Sequence, residues 1–315
     1  MAPKNKYPVA LKWLLKHHPE LPKINSNTTF SSFGSCFARE IKNWLIKNNY
    51  NYLIGNENDN FFHSKELFPG DGGASPSSHA SVAWERVYNT FTLKNIIDYS
   101  LGIKEFPERF LQIKARTGDS YVSDILRSRI IYKSRKSADN DLINHTQQSK
   151  DILGKTEIFI ITLGLIEIWE HERNGYVLAA HPSNAYKIPD EFKPRVSTYN
   201  ENLDNINYVI KELTRVNTDI KIILTVSPVH LRKTERKHTD VISASCYSKS
   251  LLRVVAESAS QSFNNVYYFP SYEIATIVSN LDNLEVYPDN HHVNRDIVDN
   301  IMDVFKASTS GLRIF

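Results

Sequence analysis

Residues 30–41, Phe-Ser-Ser-Phe-Gly-Ser-Cys-Phe-Ala-Arg-Glu-Ile, decide how this chain is read. A β-prone run, Thr29–Phe33, stops at Gly34, and an amphipathic pattern begins at once. Phe37, Ile41, Trp44 and Leu45 fall at i, i+4, i+7 and i+8, one face of a helix. Ser35 therefore marks the point where a strand gives way to a helix. There, helix N–H groups without partners and the positive end of the helix dipole stabilise an anion. A hydroxyl at such a point is either an N-cap that opens the helix or a nucleophile beside an anion site. These residues alone leave both readings open.

Four more β-prone runs lie outward from this stretch: Tyr50–Ile54 ending at Gly55, Ile158–Leu163 ending at Gly164, Ile220–Val226 ending at Ser227-Pro228, and Val266–Phe269 ending at Pro270-Ser271. Near-continuous apolar runs suit strands buried on both faces of a parallel sheet. Helical patterns over Phe37–Lys47, Asn200–Val216, Ala244–Phe263 and Arg295–Phe305 separate or follow them. This alternation predicts an α/β sandwich with a mostly parallel sheet in flavodoxin-like strand order. Residues 56–82, with Pro69-Gly70-Asp71-Gly72-Gly73, read as a long loop, and 83–155 as a mostly helical, richly charged insertion. The expected organisation is one α/β domain over 1–315, with an N-terminal extension at 1–27 and a loop and helical insertion at about 56–155.

The composition sets bounds on function. Of 315 residues, 41% are hydrophobic and 11% aromatic, enough for a sizeable core. Lys and Arg number 38 against 35 Asp and Glu, so neither nucleic acid nor a membrane is an expected partner. The basic run Arg232-Lys233-Thr234-Glu235-Arg236-Lys237-His238 is the exception, a solvated loop or a contact for an anionic group. Two cysteines, Cys36 and Cys246, make no disulfide framework, and scattered histidines with no CxxC pair imply no metal and no cofactor. The N-terminus lacks the apolar core of a signal peptide and no segment reaches the length of a membrane span, so a soluble cytoplasmic protein is expected.

Ligand sites in open α/β sheets lie outside the carboxyl ends of the strands. Ser35, Gly164, Ser227 and Ser271 follow four such ends. Tyr287-Pro288-Asp289-Asn290-His291-His292-Val293-Asn294 precedes the last helix on the same side. Asp289 and His292 thus reach the rim where Ser35 should stand. In one tight turn the carboxylate holds His Nδ1 and leaves Nε2 to accept a serine proton. His291 is a second candidate base, at a less suitable offset. Both histidines also suit a solvated loop beside a helix start.

The stretches resemble the GSCFA family. They are Phe33-Gly34-Ser35-Cys36-Phe37-Ala38, Val87-Tyr88-Asn89-Thr90-Phe91-Thr92, Thr162-Leu163-Gly164-Leu165 with Glu167 and Trp169, Val226-Ser227-Pro228-Val229, Tyr247-Ser248-Lys249-Ser250, Phe269-Pro270-Ser271-Tyr272-Glu273, and the closing Asp289-x-x-His292-Val293. The resemblance spans about residues 28–306. The family is similar to SGNH, or GDSL-like, hydrolases with a three-layer α/β/α sandwich. It implies Ser35 as nucleophile between Gly34 and Cys36, His292 as base, and Asp289 as the group that orients it. It also implies that the N–H of Cys36 and the loop at Gly164 stabilise an oxyanion.

The chain departs from the SGNH pattern after the third strand, where Gly164-Leu165-Ile166-Glu167 holds no Asn to donate to the oxyanion. Asn89 either supplies the missing amide or caps a helix, and Glu167 with Trp169 is expected to line a substrate pocket. Cys36 is either a rival nucleophile or a small buried hydrophobe; the resemblance favours Ser35. The implied activity is hydrolysis of an acyl ester, acetyl foremost, of a glycan or glycoside through an acyl-serine intermediate. Its alternatives are acyl transfer to a sugar hydroxyl and a non-catalytic glycan-binding module. A nucleotide-binding protein finds no GxGxxG or Walker pattern in its favour.

Overall fold

The computed structural model describes residues 7–34, 36–55, 61–67, 81, 84, 86–105, 109–115, 118–127, 129–181, 188–289 and 292–310. Ser35, His291 and most of the 56–82 loop lie outside the described residues, as does the Cys36 side chain. In chain order the first elements are α1 (Val9–Lys16), β1 (Thr29–Gly34), α2 (Cys36–Lys47), β2 (Asn51–Tyr52), β3 (Phe62–His63), α3 (Ser64–Leu67) and α4 (Thr90–Ser100). Next come β4 (Phe110–Lys114), β5 (Ser120–Asp124), β6 (Ile130–Tyr132), α5 (Arg135–Lys155), β7 (Ile158–Leu163), β8 (Glu167–His171) and β9 (Phe192–Val196). The last are α6 (Tyr199–Val216), β10 (Lys221–Val226), α7 (Val241–Ser262), β11 (Val266–Phe269), α8 (Ser271–Glu273), a π-helical turn at Ile274–Val278, α9 (Ser279–Leu281) and α10 (Arg295–Ser310).

Five strands pair in the order β2-β1-β7-β10-β11, every pair parallel. This is the flavodoxin-like order, with β1 second from the edge. Two apolar clusters lie on opposite faces, because alternate residues of each strand point to opposite sides. On one face Phe33, Phe159, Ile161, Leu163, Leu224 and Val226 pack against α5, α6 and α7. On the other, Phe30, Ile158, Ile160, Ile223 and Phe269 pack against α1, α2 and α10. The fold is a three-layer α/β/α sandwich. Of the α2 face read from the sequence, Phe37, Ile41 and Leu45 are buried, while Trp44 is half-buried against the ring of Tyr50.

The expected strand at Tyr50–Ile54 shrinks to two residues. It lies at the sheet edge with only β1 beside it; Leu53 N–H still donates to the Phe30 carbonyl at 2.8 Å, after which the chain leaves the ladder. The insertion differs more. Beside α4 and α5 it carries a four-stranded antiparallel sheet in the order β3-β6-β5-β4. Its interior holds ions: Asp124 takes Arg109 in a two-point pair at 2.8 and 2.6 Å and Arg127 at 2.7 Å, and Arg127 also reaches Asp141 at 2.5 Å. In the extension, the Ala10 and Leu11 N–H groups at the start of α1 donate to the Asp282 carboxylate at 2.8 and 3.0 Å. That carboxylate, 271 and 272 residues away in sequence, satisfies helix-start donors that Pro8 cannot cap.

Candidate active site

Gly34 makes the turn from β1 into α2 possible. Its φ is +153°, and a Cβ there would fall 2.6 Å from the Thr162 Cβ and 2.9 Å from the Ala38 Cβ. Only glycine meets both demands. Ser35, the next residue, stands between a strand end and a helix start in the chain, but lies outside the described residues.

The segment 87–89 runs over the ends of β1 and β7. Val87 N–H donates to the Gly34 carbonyl at 3.0 Å, and Leu165 N–H donates to the Tyr88 carbonyl at 2.8 Å. Tyr88 approaches so closely that a Cβ on Gly164 would sit 2.9 Å from its carbonyl oxygen. Asn89 then caps α4: its Oδ1 accepts from Thr92 N–H at 2.8 Å and its Nδ2 donates to the Leu178 carbonyl at 3.2 Å. Of the two readings of Asn89, the helix cap is the one these contacts describe. One carboxamide N–H is committed to Leu178.

The direction of the Gly164 N–H follows from its neighbour. The Leu163 carbonyl accepts from Ser227 N–H at 2.8 Å, on the β10 side of β7. The peptide is trans, so the Gly164 N–H of the same unit points the opposite way, toward the β1 side of β7.

Asp289 and His292 meet in the turn that leads into α10. Asp289 Oδ1 accepts from the His292 backbone N–H at 2.7 Å, and Oδ2 lies 2.6 Å from His292 Nδ1. One carboxylate thus holds both the backbone and the ring, so Nδ1 carries the proton and Nε2 is the basic nitrogen. Both side chains are about half exposed, 55% and 54%. Contacts on either side of the turn fix its place. Tyr287 donates to the Pro228 carbonyl at 2.6 Å in the loop after β10, its ring edge-on to His230 at 4.7 Å. Burial pushes the Tyr287 phenol up to about 12, so it remains a neutral donor. Asn294 Oδ1 accepts from Asp296 N–H at 3.1 Å and caps α10, and Arg295 pairs with Glu40 of α2 at 2.9 Å. The start of α10 is therefore fastened to the first turns of α2, the helix that follows Ser35.

Glu167 and Trp169 stand on the β8–β9 hairpin, next to the basic loop. Glu167 accepts from the Thr234 hydroxyl at 2.6 Å and from Glu235 N–H at 3.0 Å, which pins the basic loop to the β8–β9 hairpin. His181 joins the same tie through Glu235 at 2.8 Å. Trp169 packs half-buried on the core, edge-on to His181 at 5.3 Å. The basic run 232–238 is thus a structured loop anchored by carboxylates. Ser227 and Ser271, at two other strand ends, are wholly buried, and Ser271 donates to the Val226 carbonyl at 2.9 Å.

The stretch Tyr247-Ser248-Lys249-Ser250 carried the resemblance but no assigned role, and the structure places its Ser248 and Lys249 in a buried polar stripe on α7. Ser245, Ser248 and Lys249 sit at i, i+3 and i+4 among Ala244, Leu252 and Val255, and all three are buried. Polar residues at core spacing in an otherwise apolar helix face were the available signal. Among the described residues, no group of three or more His, Cys, Asp or Glu is placed to hold a metal ion, and no helix is long and apolar enough to cross a membrane.

The GSCFA family model matches residues 29–305, and the chain belongs to the GSCFA family. Among solved structures, it is similar to a Streptococcus pneumonia protein whose description as a platelet activating factor is itself provisional, with 10% identity and a TM-score of 0.41 over 94% of this chain and 89% of that one. No curated protein matches it.

Proposed function

We propose that the chain is a serine esterase of the SGNH type. The observation that carries the reading is the Asp289–His292 pair, its tautomer fixed by the carboxylate and its turn tied to α2 and to the loop after β10. In this reading His292 Nε2 takes the proton from the Ser35 hydroxyl as Oγ attacks the ester carbonyl. The N–H groups of Cys36 and Gly164 receive the oxyanion, and the absence of an Asn after β7 leaves that work to backbone donors. Collapse expels the alcohol, which takes the proton back from His292, and leaves an acyl-Ser35 ester. Water activated by His292 then releases the acid. The substrate class is an acyl ester, acetyl foremost, of a glycan or glycoside; a sugar hydroxyl in place of water would make the same intermediate serve acyl transfer.

The reading is tested by p-nitrophenyl acetate hydrolysis with and without a glycoside acceptor. Release of nitrophenol with free acetate supports the esterase; acetylated acceptor instead of acetate makes it a transferase. No release by the wild type contradicts both and leaves a binding module. Asp289→Asn is expected to lower kcat by about 10²-fold, the low end of general acid–base contributions, because water partly replaces the carboxylate at this half-exposed pair. Steady-state kinetics of the variant check this; an unchanged kcat would remove Asp289 from the mechanism.

A further inference from the structure

Lys249 is buried, 2% exposed, and the chemistry described above does not use it. An ammonium taken out of water carries a heavy desolvation penalty, and a polar but uncharged side chain would be the cheaper occupant of such a place. Its Nζ donates to the Gly164 carbonyl at 2.8 Å. The next residue along α7 in the other direction, Ser248, accepts from Ile166 N–H at 3.0 Å, so consecutive residues of one helix grip the loop after β7 on both sides of Leu165.

The grip answers a specific weakness. A Cβ at Gly164 would sit 2.9 Å from the Tyr88 carbonyl oxygen, too close for any other residue, and glycine is the residue whose flanking peptides swing most freely. The Gly164–Leu165 peptide is nevertheless held at both ends, its carbonyl by Lys249 and its N–H by the Tyr88 carbonyl at 2.8 Å. On the other side of Gly164, the Leu163 carbonyl is held by Ser227 N–H. With both flanking peptides fixed, the Gly164 N–H keeps its direction toward β1. We infer that Lys249 is a positioning residue that holds the Gly164 peptide in the orientation an oxyanion donor needs. The inference rests on the serine-esterase reading for its kinetic consequence, and on the hydrogen bonds alone for its structural one.

Two measurements on Lys249→Met, which keeps the length of the side chain, test it. In p-nitrophenyl acetate hydrolysis kcat should fall roughly 10- to 100-fold with KM within about twofold, as expected when a supporting group rather than a substrate contact is lost. Inhibition by a boronic acid, whose adduct on Ser35 is tetrahedral and anionic, should weaken by a similar factor. Backbone hydrogen exchange at Leu165 should quicken by about tenfold or more relative to β7. A kcat and boronate affinity within twofold of wild type would overturn the inference, and so would a loss expressed in KM alone. Should the wild type hydrolyse no ester, the functional reading fails by itself; unchanged Leu165 exchange would then overturn the inference independently. Should Lys249→Met not fold, Ser248→Ala decides: faster exchange at Ile166 with a fall in kcat supports the clamp, and neither change refutes it.

Discussion

Ser35→Ala is expected to cut kcat for ester hydrolysis by roughly 10⁴- to 10⁶-fold, the loss seen when a nucleophile is removed from a cooperating triad. The strand ends at Gly34, whose φ of +153° and lack of room for a Cβ beside Thr162 and Ala38 require glycine, and α2 starts at Cys36. In the chain, the position between them joins the end of β1 to the start of α2. The other strand-end hydroxyls, Ser227 and Ser271, are buried and cannot stand in. Alanine keeps the backbone donors, so substrate binding and folding should survive while the covalent step does not. If Cys36→Ala abolishes turnover and Ser35→Ala spares it, the nucleophile is the thiol.

The largest stability effect is expected in the buried ion cluster of the insertion. Asp124→Ala should destabilise the protein by about 3–5 kcal/mol, because it strands the buried guanidinium groups of Arg109 and Arg127. Burial by itself would raise the Asp124 carboxyl. The charges of Arg109 and Arg127 and their hydrogen bonds outweigh it and hold the group well below the usual carboxylate range. Its folded-state pKa is therefore lower than its unfolded one, so its contribution is fully present above the unfolded pKa of about 4 and is lost as pH falls through the folded value. Urea unfolding of wild type and variant checks both statements. The midpoint should fall sharply at pH 7, and the difference between the proteins should narrow in acid below pH 4. A variant as stable as the wild type would show that the network contributes nothing.

The parallel sheet was legible because its strands leave nearly continuous runs of apolar and aromatic residues: Ile158–Leu163 and Val266–Phe269 match residue for residue. The antiparallel sheet of the insertion was not. Phe110–Lys114 and Ser120–Asp124 mix polar and apolar residues, and Arg109, Asp124, Arg127 and Asp141 look in sequence like surface charge although all four are buried. Mutual pairing, which local spacing does not encode, takes them inside. The site divides in the same way. Asp289 and His292 were readable because their partnership is local, three residues apart in one turn. Asn89 left two readings because a cap and an oxyanion donor use the same amide, and only the contact with Thr92 N–H identifies the cap. Glu167 and Lys249 act on loops 67 and 85 residues away, beyond what spacing reveals.

The central claim, that Ser35 is the nucleophile served by His292, is met most directly by covalent labelling. A fluorophosphonate loses fluoride to an activated serine oxygen and leaves a stable phosphonyl ester, located by peptide mass spectrometry. One adduct is expected, on Ser35, formed by the wild type and formed far more slowly by His292→Ala. Labelling of Cys36 or of another residue, or no labelling of the folded wild type, would contradict it.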